Sequence, residues 1–315
     1  MNGSGQAARR RNPDMVRLAI PIVALVAMAI TMAMLQPRVT TYIGMQLVLG
    51  FALPLVFATM AQLSVIAAGD IDFGLGPFIG LVNCVTAALM ASHPALCWLS
   101  LVGCVVAYAA LGAFIEVQRL PSIVVTLGAS FVWLGLALLI MPTPGGSAPG
   151  WLSAIVRFRP PVVPLPILAA LVVAGATHWL FRRSSYSVVL RGLGSSAATV
   201  RAAGWSLLMA RSALYGLAGL FGTIAGLLLT GLISSGDANV GTPYTLLSVA
   251  AVIVGGAEFS GGVVSPAGAV AGAFVLVLAG ALLSFMNVPS DWQLSVQGLL
   301  LILVLGVRLM LRRTA

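Results

Sequence analysis

The sequence predicts an all-α protein that crosses a membrane about ten times. Of its 315 residues, 60% are hydrophobic and only 7% are charged, and the mean hydropathy is +1.09. Soluble domains carry about 25% charged residues, so this much apolar surface requires lipid as its solvent. The apolar runs are close to the roughly 20 residues that cross the hydrocarbon core as a helix. A β-barrel would alternate apolar and polar residues, and no such alternation occurs.

The chain divides into one transmembrane domain with short polar ends. Residues 1–14 form a basic cytoplasmic tail, 15–311 form the transmembrane domain, and 312–315 form a second cytoplasmic tail. The first apolar run exceeds the roughly 7–15 apolar residues of a signal peptide and is followed by no A-x-A-like cleavage site, so we expect it to be retained. The predicted spans lie at about 15–35, 44–66, 73–91, 95–117, 121–141, 163–181, 212–234, 245–257, 266–286 and 293–311.

The arginines predict how the chain is oriented. Cytoplasmic loops of membrane proteins are enriched in basic residues. Basic clusters occur at the two ends of the chain and in the loop 182–211. Ten spans with both termini in the cytoplasm put all three clusters on the cytoplasmic side. The loop 142–161 then lies outside, where Arg157 and Arg159 are exceptions to the rule. The most basic loop, 182–211, holds Arg182, Arg183, Arg191, Arg201 and Arg211.

The basic and metal-binding residue types exclude several classes of protein. All 16 basic residues are arginine, and their clustering at loops explains the net charge of +9 better than nucleic-acid binding does. Without lysine the chain cannot contain the phosphate-binding loop G-x-x-x-x-G-K-[ST], which excludes a self-contained P-loop ATPase. We predict no metal site, because the cysteines and histidines lack ligand spacing: Cys84, Cys97, Cys104, His93 and His178.

A six-residue motif occurs twice. The copies are GDIDFG at Gly69–Gly74 and GDANVG at Gly236–Gly241, and both follow one long apolar run and precede another. This shared context favours an internal duplication. About five spans separate the copies, and an odd number places them on opposite membrane faces. The pattern is typical of an inverted repeat, with halves at about 44–141 and 212–311, as found where a transport route runs between two halves.

The motif has two interpretations. Asp70 and Asp72 could form a proton relay or a cation site. The second copy keeps Asp237 but has Asn239 instead of the second carboxylate, which argues against such a site. We favour a structural role, in which the leading glycine ends one helix and an Asp or Asn caps the next at its positive end. Gating or substrate contact at these helix breaks is the alternative.

Other polar residues within the apolar runs are weaker candidates. Glu258, flanked by glycine pairs, indicates a tight cytoplasmic turn or an unwound helix that lines a path, and we favour the turn. Glu116 and Arg119 predict a solvated ion pair at a helix end. Gln62 and Asn83 lie within predicted spans and are candidates to face a substrate path.

The loop 182–211 reads RRSSYSVVLRGLGSSAATVRAAGWSLLMAR. It is longer than a simple connector. Apolar positions among small residues indicate short helices that lie across the surface. Composition alone leaves two roles open: a docking surface for a soluble partner, or a loop that faces lipid headgroups.

Several stretches resemble one family in the same order along most of residues 40–311. AAGDIDFGLG is similar to its G-G-I-D-L-S-x-G segment, LPSIVVTLG to P-x-F-I-x-T-L-G, and VGGAEFSGG to I-G-G-T-S-L-S-G-G. The family is that of the membrane permease subunits of bacterial ABC importers for monosaccharides, the ribose type. It belongs to a larger group with the branched-chain amino acid permeases. Its loop pattern R-A-x-G-x-N-x-x-A-A-R-x-x-G is matched by Arg191, Gly194, Arg201 and Gly204.

The chain also departs from the family pattern. Ser196 and Ala198 replace the Asn and Glu of the loop, which bears on which ATPase docks. Val263 and Val264 replace the R-G that follows S-G-G, and Asp70 replaces a glycine, so an unusual solute is compatible with the resemblance.

The resemblance implies partners for this chain. It implies a homodimer or a heterodimer with a related permease, in a bacterial inner (plasma) membrane. Two cytoplasmic ATP-binding subunits would dock on loop 182–211 and carry ATP and magnesium, so this chain binds no cofactor itself. A periplasmic or extracellular solute-binding protein would deliver the solute. Membrane lipid is the remaining partner, and no nucleic acid is expected.

The resemblance implies import of a monosaccharide by alternating access, with no covalent chemistry on this chain. A permease for branched-chain amino acids or nucleosides is the alternative within the group. A transporter driven by an ion gradient is the alternative from another class, with coupling carboxylates at Asp70, Asp72, Asp237 or Glu258. A membrane enzyme is disfavoured, because catalytic residue types do not cluster.

Overall fold

The computed structural model of the chain is all-helical. It describes residues 13–183, 189, 192–194, 196–202, 204–257, 262, 264–289, 292, 295, 296, 298, 299 and 306. Within these residues there is no strand, and a single isolated bridge joins Gly145 to Gly236. A short 3-10 helix, Pro37–Thr40, follows the first α-helix. The α-helices are α1 (Pro13–Leu35), α2 (Tyr42–Gly50), α3 (Ala52–Ala67), α4 (Leu75–Leu89), α5 (Pro94–Gln118), α6 (Ser122–Ile140), α7 (Gly150–Val156), α8 (Leu165–Arg182), α9 (Ala197–Ala202), α10 (Leu207–Ile233), α11 (Thr242–Val254) and α12 (Pro266–Phe285).

Four of the described helices are long and apolar enough to cross a membrane, namely α5, α6, α10 and α12. The pair α2 and α3 makes a fifth candidate, bent by 44° around Phe51. Shorter apolar helices occur in α1, α4, α8 and α11. The all-helical class is therefore confirmed. The count of ten and the side of the termini stay predictions, since residues 1–12, most of 293–311 and the tail 312–315 lie outside the described residues.

Helix α10 lies at the centre of one packed group and contacts α5, α3 and α4. Two tyrosines fix its approach to α5: Tyr215 of α10 packs on Gly112, and Tyr108 of α5 packs on Gly219. A Cβ at Gly112 would lie 2.7 Å from the Tyr215 Cβ, and one at Gly219 would lie 2.6 Å from the Tyr108 Cβ. Both tyrosines are fully buried, so this packing holds two phenol groups inside the protein.

Helix α12 organises the second group and packs against α1, α3 and α11. Its apolar core contains buried residues of α3, α8 and α11. An apolar cavity of about 480 Å³ remains between α1, α2, α8 and α12, lined by side chains that include Met32, Met45 and Phe274.

The loop between α6 and α8 is ordered and contains α7, a helix that the sequence analysis did not predict. Gly145 and Gly236 exchange two backbone hydrogen bonds of 3.0 and 2.7 Å. The Ser147 N–H donates to the Ala87 carbonyl at 3.1 Å. The loop therefore lies against the end of α4 and the start of the second motif copy.

Candidate functional site at two helix breaks

The first motif copy lies in a helix break between α3 and α4, here called the first break (residues 68–74). The Gly69 N–H donates to the Ile66 carbonyl at 2.9 Å, and the Asp70 N–H donates to the Val65 carbonyl at 3.3 Å. This pair of bonds is a Schellman motif, in which the residue after the helix is left-handed. Gly69 has a φ of +82°, which glycine adopts without steric cost. Gly69 therefore ends α3, where the sequence analysis expected a helix to stop.

Asp72 is the more deeply buried carboxylate of the first break, with 0% of its surface exposed. Its Oδ1 accepts a hydrogen bond from the Gly74 N–H at 2.7 Å, and its Oδ2 accepts one from the Tyr108 hydroxyl of α5. Gln62 of α3 pairs with the Asp72 backbone, since its amide nitrogen donates to the carbonyl and its oxygen accepts from the N–H, each at 3.2 Å. These partners offset the cost of burying the carboxylate.

Asp70 contacts α10 and is 9% exposed. Its Oδ2 accepts a hydrogen bond from the Tyr215 hydroxyl at 3.2 Å and lies 3.4 Å from Arg211 Nε. Arg211 Nη1 in turn lies 3.2 Å from Glu116 Oε2, near the end of α5. One guanidinium therefore lies between two carboxylates from different parts of the chain.

The predicted ion pair between Glu116 and Arg119 is therefore wrong. Glu116 pairs with Arg211, which packing brings to it from α10. Arg119 follows the last turn of α5 in a left-handed conformation with a φ of 51°. The helix thus ends before Arg119 can lie one turn above Glu116 on the same helical face.

Helix α6 also holds the first break. The Thr126 hydroxyl accepts a hydrogen bond from the Phe73 N–H at 3.1 Å and donates to the Ile71 carbonyl at 3.4 Å. Side chains from α3, α5, α6 and α10 therefore converge on seven non-helical residues.

The second motif copy lies in a break between α10 and α11, here called the second break (residues 234–241). Ser234 ends α10 with a φ of +58°, and its N–H donates to the Thr230 carbonyl at 2.8 Å. The expectation that the leading glycine of each copy ends the helix is therefore wrong here. Gly236 lies two residues further on, in the bridge to Gly145.

Asn83 of α4 makes hydrogen bonds to the backbone of the second break, as Gln62 does at the first break. Its Nδ2 donates to the Thr230 hydroxyl at 2.8 Å and to the Ser235 carbonyl at 3.0 Å. Its Oδ1 accepts from the Asp237 N–H at 2.8 Å. Gln62 and Asn83 are both fully buried, and these bonds give them a structural role. Contact of either side chain with a substrate path stays a prediction without support from this geometry.

The rest of the second break packs on a glycine face of α4. A Cβ at Gly241 would overlap the Gly76 carbonyl oxygen, and a Cβ at Gly80 would overlap the Ala238 carbonyl oxygen. Backbone therefore lies directly on backbone at this point.

The motif carboxylates do not occupy the N-cap positions of α4 and α11. The N-cap residues of α4 and α11 are Gly74 and Gly241, and neither makes a side-chain cap bond. Asp72 instead accepts from the Gly74 N–H, and Asp237 accepts from the Asn239 N–H at 2.9 Å. Each bond spans two residues and closes a turn within the break.

The two polar side chains of the second motif copy differ in exposure. Asp237 is half-buried, whereas Asn239 is exposed. Glu258, the remaining residue predicted at a helix break, lies outside the described residues.

In loop 182–211, helix α9 is the short surface helix that the composition indicated. Gly204 ends it with a φ of +79°, and the Gly204 N–H donates to the Arg201 carbonyl at 2.9 Å. The Trp205 N–H donates to the Val200 carbonyl at 3.2 Å, which completes a Schellman motif. The Ser206 hydroxyl then caps α10 by accepting an N–H three residues on. Residues 204–206, here called the elbow, thus join α9 to α10 through ordered hydrogen bonds.

The other predicted loop residues are placed unevenly. Gly194 is half-buried, Arg201 is exposed, and Arg191 lies outside the described residues. A cavity of about 390 Å³ separates α9 from the end of α5, and its lining includes Arg201, Trp205, Glu116 and Arg119.

The geometry of the two breaks consists of turns, ion pairs and packing contacts. Within the described residues, no group of three or more His, Cys, Asp or Glu side chains could hold a metal ion. The carboxylates of the first break accept hydrogen bonds from tyrosine and backbone groups, and Asp70 forms an ion pair with Arg211. The two breaks are points where helices stop and restart, and such points can change angle without loss of the helices themselves.

Comparison with known proteins agrees with the sequence resemblance. The family model described as "Branched-chain amino acid transport system / permease component" matches residues 45–305. The probable ABC transporter permease protein y4mJ of Sinorhizobium fredii is 30% identical over 258 residues, which are 79% of this chain and 76% of that protein. The ribose import permease protein RbsC of Escherichia coli is 25% identical over 259 residues, 77% of this chain and 78% of that protein.

A third relative matches a shorter stretch. The xylose transport system permease protein XylH of Escherichia coli is 31% identical over 141 residues. These are 45% of this chain and 36% of that protein, so the match spans about a third of that relative's length. No solved structure matches the chain. Because the family model covers well over half of the sequence, the chain belongs to the branched-chain amino acid transport system permease family.

Proposed function

We propose that this protein is the membrane-spanning permease subunit of an ATP-binding-cassette importer that moves a sugar into a bacterial cell. The observation that carries the proposal is the position of the two breaks in a chain of this family. The first break contacts the early turns of α10 through Tyr215, and the second break begins where α10 ends at Ser234. Two related helix breaks thus begin at opposite ends of one long helix.

The proposed topology has ten spans and both termini in the cytoplasm. α10 has 27 residues and is about 40 Å long, enough to cross the bilayer. Its beginning follows the basic loop 182–211, which the positive-inside rule assigns to the cytoplasm. The first break then lies toward the cytoplasm and the second toward the outside, as an inverted repeat requires.

The proposed mechanism is alternating access powered by separate subunits. Two ATP-binding subunits dock on loop 182–211 of two permease copies in the plasma membrane and hold ATP and magnesium. A solute-binding protein delivers substrate to the outer face. Closure of the ATPase pair displaces α9, and bending at the two breaks changes which side of the path is open. This chain gates the path and hydrolyses nothing.

A sugar is the proposed solute because two relatives are named as xylose and ribose permeases. The family description names branched-chain amino acids, which supports the alternative solute class. Nucleosides are a further alternative within the same group.

The first experiment separates ATP-driven import from ion-coupled transport. Proteoliposomes contain this chain with the ATPase and binding protein that the proposal expects neighbouring genes to encode, and uptake of labelled D-xylose, D-ribose and L-leucine is measured. We expect uptake of a pentose that requires ATP on the side of the membrane where the ATPase subunits lie. This uptake should persist when an ionophore is added. Asp237→Asn should keep most of it, because Asn retains the acceptor oxygen for the Asn239 N–H. Uptake that collapses with ionophore, or that Asp237→Asn abolishes, would support the ion-coupled transporter instead.

The second experiment tests the docking surface. Arg201→Glu reverses an exposed charge on α9 and should reduce co-purification of the ATPase about tenfold or more. Arg159→Glu makes the same reversal on an exposed residue of the α6–α8 loop and should leave co-purification intact. Equal loss in both variants, at equal levels of membrane insertion, would contradict docking at α9.

A further inference from the structure

A compact charged cluster joins α10 to the first break and to α5. It consists of Asp70, Glu116, Arg211 and Tyr215 and is called the Arg211 cluster here. Arg211 lies 3.4 Å from Asp70 Oδ2 and 3.2 Å from Glu116 Oε2. The side chains of Arg211, Asp70 and Glu116 are 19%, 11% and 22% exposed. A chain with only seven acidic residues thus places two of them on one mostly buried arginine.

Such a cluster is not an efficient way to increase the folding stability of the protein. Removing charges from water costs several kcal/mol per ion, and well-packed apolar residues often stabilise a site as well or better. Its geometric effect is definite, however. Asp70 holds the first break to α10 through a guanidinium and a phenol, and Glu116 holds α5 to the same guanidinium.

The cluster also lies close to the elbow. Arg211 is about one helical turn beyond Leu207, the first residue of α10. The Schellman motif at Gly204 and the cap at Ser206 leave little freedom between α9 and this turn. Glu116 lines the same cavity as Arg201 of α9, so the cluster borders the space beside that helix.

The second break has no matching arrangement within the described residues. Its carboxylate, Asp237, accepts a hydrogen bond from Asn239 in its own turn, and Asn83 of α4 holds the neighbouring backbone. A direct side-chain link between a break and the beginning of α10 therefore belongs to the first copy of the motif.

We propose that Arg211 and Asp70 are positioning residues that transmit displacement of α9 to the first break, with Glu116 as a brace to α5. This inference rests on the proposed function, because it assigns the step that joins ATPase movement to the membrane path. Arg211 moves with the beginning of α10, and Asp70 moves with Arg211 because the two side chains form an ion pair. The first break then changes angle when α9 is displaced.

Two substitutions separate transmission from simple charge balance. Asp70→Asn removes the one carboxylate of the first break that contacts Arg211 and leaves the pair between Arg211 and Glu116. Glu116→Gln removes the other carboxylate from the same arginine and leaves the pair between Arg211 and Asp70. Both variants remove one negative charge from one cluster with a side chain of nearly the same shape, so neither creates a cavity.

The measurement is the number of labelled pentose molecules taken up per ATP hydrolysed, in proteoliposomes that contain the full complex. We expect Asp70→Asn to lower this ratio about fivefold or more, while Glu116→Gln changes it less than about twofold. The melting temperatures of the two purified variants should be similar. A structural role alone would lower stability and leave the ratio at its wild-type value.

Three other results would overturn the inference. An unchanged ratio in Asp70→Asn, or equal losses in both variants, overturns the inference while the wild-type complex still imports pentose with ATP. A wild-type complex with no ATP-driven uptake contradicts the proposed function and overturns this inference with it. Arg211→Lys adds a check, because lysine keeps the charge but lacks the planar fork that reaches two carboxylates. It should lower the ratio as Asp70→Asn does, and a wild-type ratio would contradict the role of Arg211.

Discussion

The two helix breaks carry the same six-residue motif but are held in different ways. At the first break, Asp70 and Asp72 are buried and bonded to side chains of α10 and α5. At the second break, Asp237 is half-buried and accepts a bond from its own turn. Backbone bridges and a glycine face of α4 hold the rest of that segment.

The difference teaches that the motif lies in a helix break in both copies but does not determine what holds the broken ends. A two-residue turn closed by a carboxylate occurs in both copies. The second aspartate closes it in the first copy, and the first aspartate closes it in the second. This shift frees Asp70 for contact with Arg211, so the extra charge of the first copy has a long-range partner.

The largest expected effect is on the backbone packing of the second break. Gly241→Ala places a Cβ against the Gly76 carbonyl oxygen, which cannot rotate away, and should cost about 3 kcal/mol of folding free energy. The melting temperature of the purified protein measures the change. Gly103→Ala is the matched control, because a Cβ there meets no atom within 4 Å. Equal melting temperatures for the two variants would contradict close packing on α4.

The next effect is on the two phenols of the first break. Tyr108→Phe leaves the fully buried Asp72 carboxylate without its hydroxyl donor and should cost about 2 kcal/mol. Tyr215→Phe should cost less, about 1 kcal/mol, because Asp70 keeps its contact with Arg211. The two variants serve as controls for each other in the same melting assay. A larger loss of stability for Tyr215→Phe would contradict the expectation that the more deeply buried carboxylate, Asp72, depends more on its tyrosine.

The smallest effect is on an exposed bond at the second break. Arg157 Nη2 donates to the Ser234 hydroxyl at 3.2 Å, but both groups have access to water. Arg157→Ala should change stability by less than about 0.5 kcal/mol. Arg159→Ala, on a nearby exposed arginine, controls for the loss of charge. A loss above that value in Arg157→Ala alone would mean that side chains hold the second break after all.

Local pattern was sufficient to predict several features of the fold. Apolar runs predicted the positions of the long helices, and Gly69 predicted the end of α3. Small and apolar residues predicted a surface helix at α9. Each of these depends on residues that are neighbours in the chain, where propensity and backbone sterics dominate.

Features that depend on tertiary packing could not be predicted in the same way. Arg211 is far from Asp70 and Glu116 in sequence, so no spacing rule brings the three together. Gln62 and Asn83 looked like path-lining residues because they are polar in apolar runs, whereas their partners are the backbone of the two breaks and, for Asn83, also the Thr230 hydroxyl. Ser234 took the left-handed position expected of glycine, a choice that local sequence does not dictate.

The central position of α10 has a geometric consequence of its own. The helix is a rod of 27 residues that touches the first break near one end and the second at the other. A rod that pivots near its middle moves its ends in opposite directions, by about 3 Å each for a tilt of roughly 10° over about 40 Å. The Asp70 end of the first break and the Ser234 end of the second would then be displaced in antiphase. In the proposed mechanism, opening toward one side and closing toward the other are then a single motion.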